Sequence, residues 1–200
     1  QRLLAGFVVG TFIFAAFCPD VLAHTPGYKK VPDGIVVDLS NSSISKSGTV
    51  KLSVISDKII HVITYPETEQ ALQKSLMAID SPAKAVKWDV SQNGSQINLK
   101  TEELTASVST ITGAVSFIDK NGKQLLKEVG VNGREFKPVS IGAELSYNIL
   151  QQFESPADEA IYGLGQHQDD MMNYKGNHVD LYQYNTKVAI PFLLSNKNYG

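Results

Sequence analysis

Apolar and polar residues alternate along most of the chain from Gly34 onward. In "GTVKLSVIS", Val50, Leu52 and Val54 fall on one face and Lys51 and Ser53 on the other, the period-2 mark of a half-buried strand. The β-branched run "GIVVDL" precedes it, and "DKIIHVITYP" follows across a turn at Ser56-Asp57 until Pro66 stops it. The last two runs predict a hairpin. Further strand signals are "AVKWDV", "SQINLKT", "ELTASVST", "AVSFID", "QLLKEV" and "LSYNILQQF", punctuated by Asn93-Gly94, Thr112-Gly113, Asn121-Gly122 and Asn132-Gly133. Asn-Gly tolerates positive φ at both positions, as a type I′ hairpin turn requires, and "SFIDKNGKQLL" is the clearest hairpin. Only "ETEQALQKSLMA" has helical spacing, with Ala71, Leu72, Ser75, Leu76 and Ile79 on one side. It is short and no glycine caps it, so it fits a helical turn inside a connection as well as a full helix. Many short strands at close spacing predict a mostly β chain, an antiparallel β-sandwich.

The first 23 residues follow a different rule. Arg2 precedes an apolar run from Leu3 to Phe17, which is shorter than the ~20 residues a membrane-spanning helix needs. Pro19 and then "VLA" follow, so residues 1–23 are expected to be a secretory signal peptide cleaved after Ala23. The expected product is exported, to a periplasm or the cell exterior, with no membrane attachment once the signal is removed. Cys18 offers the alternative of a lipoprotein anchor, against which the bulky Phe17 before it argues. Cleavage after Ala23 leaves no cysteine, and with it no disulfide, thiolate metal site or cysteine nucleophile. Residues 24–32, rich in Pro, Gly and Lys, are expected to be a linker, and residues 33–200 the sandwich domain.

Composition narrows the function classes. Hydrophobic residues make up 42% and charged residues 19% of the 200, an ordinary globular balance. A net charge of −2 gives no electrostatic support for nucleic-acid binding. One tryptophan, Trp88, sits in "VKWDV" and is expected in the core.

Two segments then resemble a known family. The succession "DGIVVDL…GTVKLSVISDKIIHVITYP…KWDV…INLKTEELTASVSTITGAVSFIDKNGKQLL", with its Thr101–Leu126 portion, is similar to the N-terminal sandwich of glycoside hydrolase family 31. "AIYGLGQHQ…YNT…IPFLLSNKNYG" looks like that family's "YGLGE" turn, "IPF" strand and "YG" hairpin, with Gln166 where many members have Glu. "GQHQ", "YKG" and "QYNT" resemble the family's α-xylosidases, which act on xyloglucan-derived oligosaccharides, more than its α-glucosidases.

The resemblance implies a galactose-mutarotase-like sandwich placed before a catalytic (β/α)₈ barrel of the same polypeptide. It implies two-step retaining hydrolysis by two barrel carboxyls ~5 Å apart, without metal or organic cofactor. The last residues, from Asn196 to Gly200, look like a hairpin turn awaiting its return strand, so the chain reads as the front piece of a longer enzyme. On this view it carries no catalytic carboxylate of its own. Its partners are the oligosaccharide and the barrel.

Candidate site residues crowd into Glu159–Gly200. In the family a loop before the "IPF" strand lines the sugar site, and here it matches Gln183, Tyr184, Asn185 and Thr186. Amides and hydroxyls suit sugar hydroxyls, and an aromatic face suits the C–H surface of a sugar ring; an ordinary polar turn is the competing account. His167 joins them because it follows the double glycine near the barrel mouth. Tyr174 offers a further aromatic, either a platform or a packed core residue.

Other patterns are weaker. Gly163 and Gly165 lack the third glycine of a phosphate loop and fit a bulge or tight packing. His167, Asp169, Asp170, His178 and Asp180 lack ligand-type spacing for a metal. Adjacent strand residues such as Asp169 and Asp170 would point to opposite faces rather than across a sugar. A free-standing carbohydrate-binding module and a structural or adhesive sandwich are the alternatives. The first would need aromatics aligned on one sheet face, the second a self-sufficient fold.

Overall fold

The computed structural model describes residues 27–66 and 86–200; the expected signal peptide, Cys18 and the helical segment from Glu67 lie outside them. Among the described residues, all regular structure is β. Strands β1 (Tyr28–Val31), β2 (Gly34–Asp38), β3 (Thr49–Ser56) and β4 (Ile59–Tyr65) form one antiparallel sheet in that order. Strands β5 (Asp89–Asn93), β6 (Gln96–Lys100), β7 (Leu104–Ser109), β8 (Val115–Asp119) and β9 (Gln124–Lys127) form a second, also in chain order. Strand β1 falls within the stretch expected to be a linker; Tyr28 to Val31 pair with Val37 to Gly34, and ordered structure begins earlier than its Pro/Gly content suggested.

The sheets meet face to face. Ile35, Val37, Leu39, Val50, Leu52 and Val54 from the first pack with Val90, Ile97, Leu99, Ala106, Val108 and Val115 from the second. Val50, Leu52 and Val54 are the residues the alternation singled out, and most of this core is fully buried. Burial of such side chains supplies the main favourable term, on the order of 1.5–3 kcal/mol each. Trp88 is partly buried against this core, with the Lys30 ammonium 5.7 Å from its ring. Ser53, expected on the solvent face, is itself buried.

The Asn-Gly turns are not type I′. Asn93 stays in β5 paired with Gln96, leaving Gly94-Ser95 as the two-residue loop with positive φ only at Gly94. At Asn121-Gly122 only Gly122 is left-handed, and the Asp119 carboxylate accepts from the Asn121 and Lys123 amides at 2.9 and 2.8 Å. This aspartate stabilises an alternative three-residue loop, which displaces the two-residue turn. At Asn132-Gly133 it is Asn132 that takes φ 59°.

Two ribbons come after the sandwich. Strands β10 (Arg134–Ile141) and β11 (Glu144–Gln151) pair along their full length; β12 (Ile161–Gln166) and β13 (Val188–Ser195) form the second ribbon. A polar cluster joins the first ribbon to both sheets. Arg134 donates from Nε to Gln151 Oε1 at 2.7 Å, and from Nη1 to Ser47 Oγ at 3.0 Å and the Gly113 carbonyl at 3.2 Å. Its Nη2 donates to Glu128, whose same oxygen accepts the Val115 amide at 2.8 Å. Both side chains are only 8% exposed.

Removing the guanidinium would strand a buried carboxylate, so Arg134→Ala should cost about 3–5 kcal/mol. Chemical denaturation of the full-length protein measures this. A loss comparable to that of an exposed-site substitution would contradict the clamp.

Candidate functional site

The β12–β13 ribbon carries the candidate residues at its far end. Pairing steps from Gly163↔Leu193 to Gly165↔Ala189, leaving one residue of β12 opposite three of β13. Leu164 sits at the step with φ 63°. Pro191 occupies the unpaired interval, where its missing N–H costs no ladder bond. A Cβ on Gly165 would lie 2.0 Å from the Val188 carbonyl oxygen, so glycine is required by close backbone approach. The two glycines thus serve a bulge, as their spacing suggested, and the bulge re-aims the loop that leaves β12.

Beyond the bulge, His167 turns back on its own loop. Its Nε2 lies 2.8 Å from the Leu164 carbonyl, which can only accept, so Nε2 carries the proton. Its ring meets Tyr174 edge-on at 6.0 Å, and Tyr174 is half-buried. Gln183, Tyr184, Asn185 and Thr186, in the loop that leads into β13, are all exposed, and among the described residues no hydrogen bond or ring contact joins them to His167. The Lys187 amide closes the turn on the Tyr184 carbonyl at 2.8 Å, with Asn185 at φ 33°. Two side-chain contacts hold the tip against the end of β12: Thr186 Oγ1 donates to Gln168 Oε1 at 3.3 Å, and Lys187 Nζ to Asp169 Oδ1 at 3.1 Å.

The acidic residues are dispersed. Asp169 is committed to Lys187, Asp170 sits in a bend at φ 49°, and Asp180 faces His178 at 3.0 Å in solvent. No group of three or more His, Cys, Asp or Glu among the described residues is placed to hold a metal ion. No helix among them is long and apolar enough to cross a membrane. Aromatic and polar groups dominate the loop instead. Asp180, Leu181, Tyr182, Tyr184 and Lys187 line an open concavity of about 530 Å³. Its lining combines two aromatic rings with an aspartate and a lysine.

Similarity to known proteins decides where this arrangement belongs. Residues 49–200 match the glycosyl hydrolase 31 N-terminal galactose mutarotase-like domain. The chain belongs to glycoside hydrolase family 31. An α-xylosidase of Saccharolobus solfataricus is 30% identical over 161 residues, 76% of this chain and 21% of that protein. The crystal structure of a family 31 α-xylosidase from Xanthomonas citri is 39% identical with a TM-score of 0.78, over 85% of this chain and 18% of that one. A family 31 α-xylosidase from a soil metagenome, solved with xylose, gives 26% and 0.68, over 85% of this chain and 26% of that one. The chain thus spans about a fifth to a quarter of the length of these relatives.

Sequence patterns did not single out the family domain's second polar cluster. Glu159 is buried and accepts from Ser195 Oγ at 2.6 Å and Tyr199 Oη at 2.5 Å on one oxygen, and from Ser155 Oγ at 2.7 Å on the other. The Ser195 amide also donates to the Tyr199 carbonyl at 2.8 Å, closing the final turn. Around it, Asn196 Oδ1 accepts the Ala160 amide at 3.0 Å, and Lys197 pairs with Asp158. The end of β13 is thereby fixed to the start of β12, and the loop at the other end of β13 inherits that alignment. The available signal was weak: a glutamate preceding the "YGLG" segment, with serine and tyrosine bracketing the last turn.

Burial pulls the Glu159 carboxyl upward, but the three hydroxyl donors and the Lys175 charge outweigh it and hold its pKa below the ordinary 4.5. Burial and the hydrogen bond to Glu159 push the Tyr199 phenol up to about 12. With the folded pKa of Glu159 depressed, its contribution is complete above about 4.5 and disappears as pH falls through the folded value. Glu159→Gln should therefore lower the melting temperature at pH 7, with the gap from wild type closing at pH below 4.5. A gap independent of pH in matched thermal melts would show that the charge of Glu159 is not what the clamp uses.

Proposed function

We propose that this chain is the N-terminal part of an exported retaining α-glycosidase, an α-xylosidase acting on xyloglucan-type oligosaccharides. Its sandwich supports a catalytic barrel of the same polypeptide, and its Gln183–Thr186 loop lines the sugar site with His167 behind it. The observation that carries this reading is the 39% identity and 0.78 TM-score shared with the Xanthomonas citri α-xylosidase. The Saccharolobus relative bears the same name. Removal of the sugar belongs to the barrel, whose nucleophile and acid/base carboxyls would stand about 5 Å apart.

The uncovered surface of β13 favours the supporting role. Val188, Ile190, Phe192 and Leu194, with Tyr162 beside them, present an exposed apolar strip, and Leu193 is exposed on the opposite face. A strand apolar on both faces is suited to a sheet covered on both sides, the place a barrel would occupy.

The loop's own role is to hold the sugar by amide and hydroxyl contacts. In the full-length protein, Asn185→Ala should raise the KM for an α-xylosylated oligosaccharide roughly fivefold, the loss of one or two hydrogen bonds. Steady-state kinetics test this, and wild-type KM and turnover in the variant would remove the loop from the site. Faster release of glucose from α-glucosides than of xylose would overturn the α-xylosidase assignment. Export is tested separately: mass spectrometry of the mature protein should find His24 as its first residue. An acylated Cys18 at that position would replace the soluble form with an anchored one.

A further inference from the structure

The most exposed aromatic on the candidate loop is a residue that the sequence did not mark. Tyr182 is 67% exposed and Tyr184 51%, with ring centroids 5.5 Å apart and planes tilted by 36°. Both sit on a braced backbone. The Tyr182 amide donates to the Asp180 carbonyl at 2.9 Å, and Tyr184 is tied to Lys187 across the tight turn. The Thr186–Gln168 and Lys187–Asp169 contacts then hold that turn to the body. One ring supports the other, and the pair faces the open concavity of about 530 Å³.

The surroundings separate this pair from the apolar strip of β13. The strip carries no charge from Val188 to Leu194, as suits a surface destined for a protein interface. The tyrosines instead have Asp180 and Lys187 beside them, with Asp180 84% and His178 88% exposed. Aromatic faces flanked by charged groups fit a ligand with an apolar face and a polar edge. A pyranose ring has both: axial C–H bonds on its face, and equatorial hydroxyls around its rim. Tyrosine also loses few rotamers on binding, which favours it as a platform.

From this we infer that Tyr182, braced by Tyr184, is a stacking platform for the β-linked glucan backbone on which the α-linked sugar is carried. Asp180 and Lys187 lie where they can engage the rim hydroxyls of the same backbone. The inference rests on the proposed function for its choice of glycan, but it concerns the part of the substrate beyond the scissile bond. Affinity for the backbone would then reside in the Tyr182–Tyr184 pair, beside the Gln183, Asn185 and Thr186 side chains that hold the sugar to be released.

Calorimetric titration of the full-length protein with cellotetraose, which contains no scissile α-linkage, tests the platform without catalysis. Tyr182→Ala should weaken binding about tenfold, and Tyr182→Phe, which keeps the ring, by no more than about twofold. Tyr182→Ala should also raise the KM for an α-xylosylated oligosaccharide but leave that for α-xylosyl fluoride, which has no glucan, at the wild-type value. Equal cellotetraose affinity in Tyr182→Ala and wild type overturns the platform, as does absence of wild-type binding at millimolar cellotetraose. So does a lowered melting temperature with unchanged affinity, which would make the ring a packing residue. Cellotetraose binding without xylose release would leave the platform standing and sink the α-xylosidase reading. Xylose release with Tyr182→Ala unchanged would do the reverse.

Discussion

The ribbon that follows the sandwich depends for its placement on one buried ion pair. Glu128 and Arg134 lie six residues apart, on either side of the turn that leads out of the second sheet. Burial holds the Glu128 carboxyl above its ordinary pKa, outweighing the Arg134 charge and the Val115 amide that pull it down. Two charges removed from water recover their desolvation cost only when the remaining donors and acceptors are used. Here the guanidinium donates to four partners: Glu128, Ser47 before β3, Gly113 in the β7–β8 turn and Gln151 at the end of β11. First sheet, second sheet and first ribbon therefore share one side chain. A lysine could supply the charge but not the fork that reaches all four.

That junction also fixes where the chain goes next. The Val129 amide bonds to the Gln152 carbonyl at 3.0 Å, and Glu128 pairs with Phe153, so the return from β11 runs alongside β9. The chain then enters the Ser155–Glu159 segment, where the second buried carboxylate takes over. Glu159 binds hydroxyls rather than a cation, so its charge is satisfied by three short hydrogen bonds instead of a counterion. One clamp places the first ribbon and the other aligns the second. The sugar-site candidates lie at the end of this relay, far in sequence from the apolar core that makes it stable.

The sandwich was legible in the sequence because a single physical rule governs it. Val50, Leu52 and Val54 alternate since one face of β3 meets the second sheet and the other does not. Legibility fails where that rule is broken. Strand β10 carries Pro138 and mixed polarity on both faces, so neither alternation nor propensity marked it. Strand β13 is apolar on successive residues, so alternation did not mark it, and it was legible only as the "IPF" strand of the family resemblance. The Asn-Gly turns were visible as turns, but their type was settled by neighbours: the Asp119 side chain at one, and the pairing of Asn93 with Gln96 at another. Neither clamp had a strong sequence signature, because Arg134 and Ser47, or Glu159 and Ser195, meet only through tertiary folding. Of the candidate site, the Gln183–Thr186 tip was found through family resemblance, and Tyr182 only through its exposure.

Burial divides the chain into two physical regimes. In the sandwich, the large apolar side chains of the two inner faces have essentially no solvent contact, and that part carries its own stabilisation. In the ribbons, Ile141, Leu145, Ile149, Phe192 and Leu194 are exposed, a density of apolar surface that isolated soluble domains seldom present. The ribbons are held in place by polar clamps rather than by burial of their own faces. Clamps made of directional bonds fix orientation with little apolar contact, so the faces of β13 are already presented before anything covers them. Such pre-organisation reduces the ordering cost of docking whatever covers those faces. It also explains why the loop ahead of β13 can hold a defined aromatic and amide surface with little apolar burial beneath it.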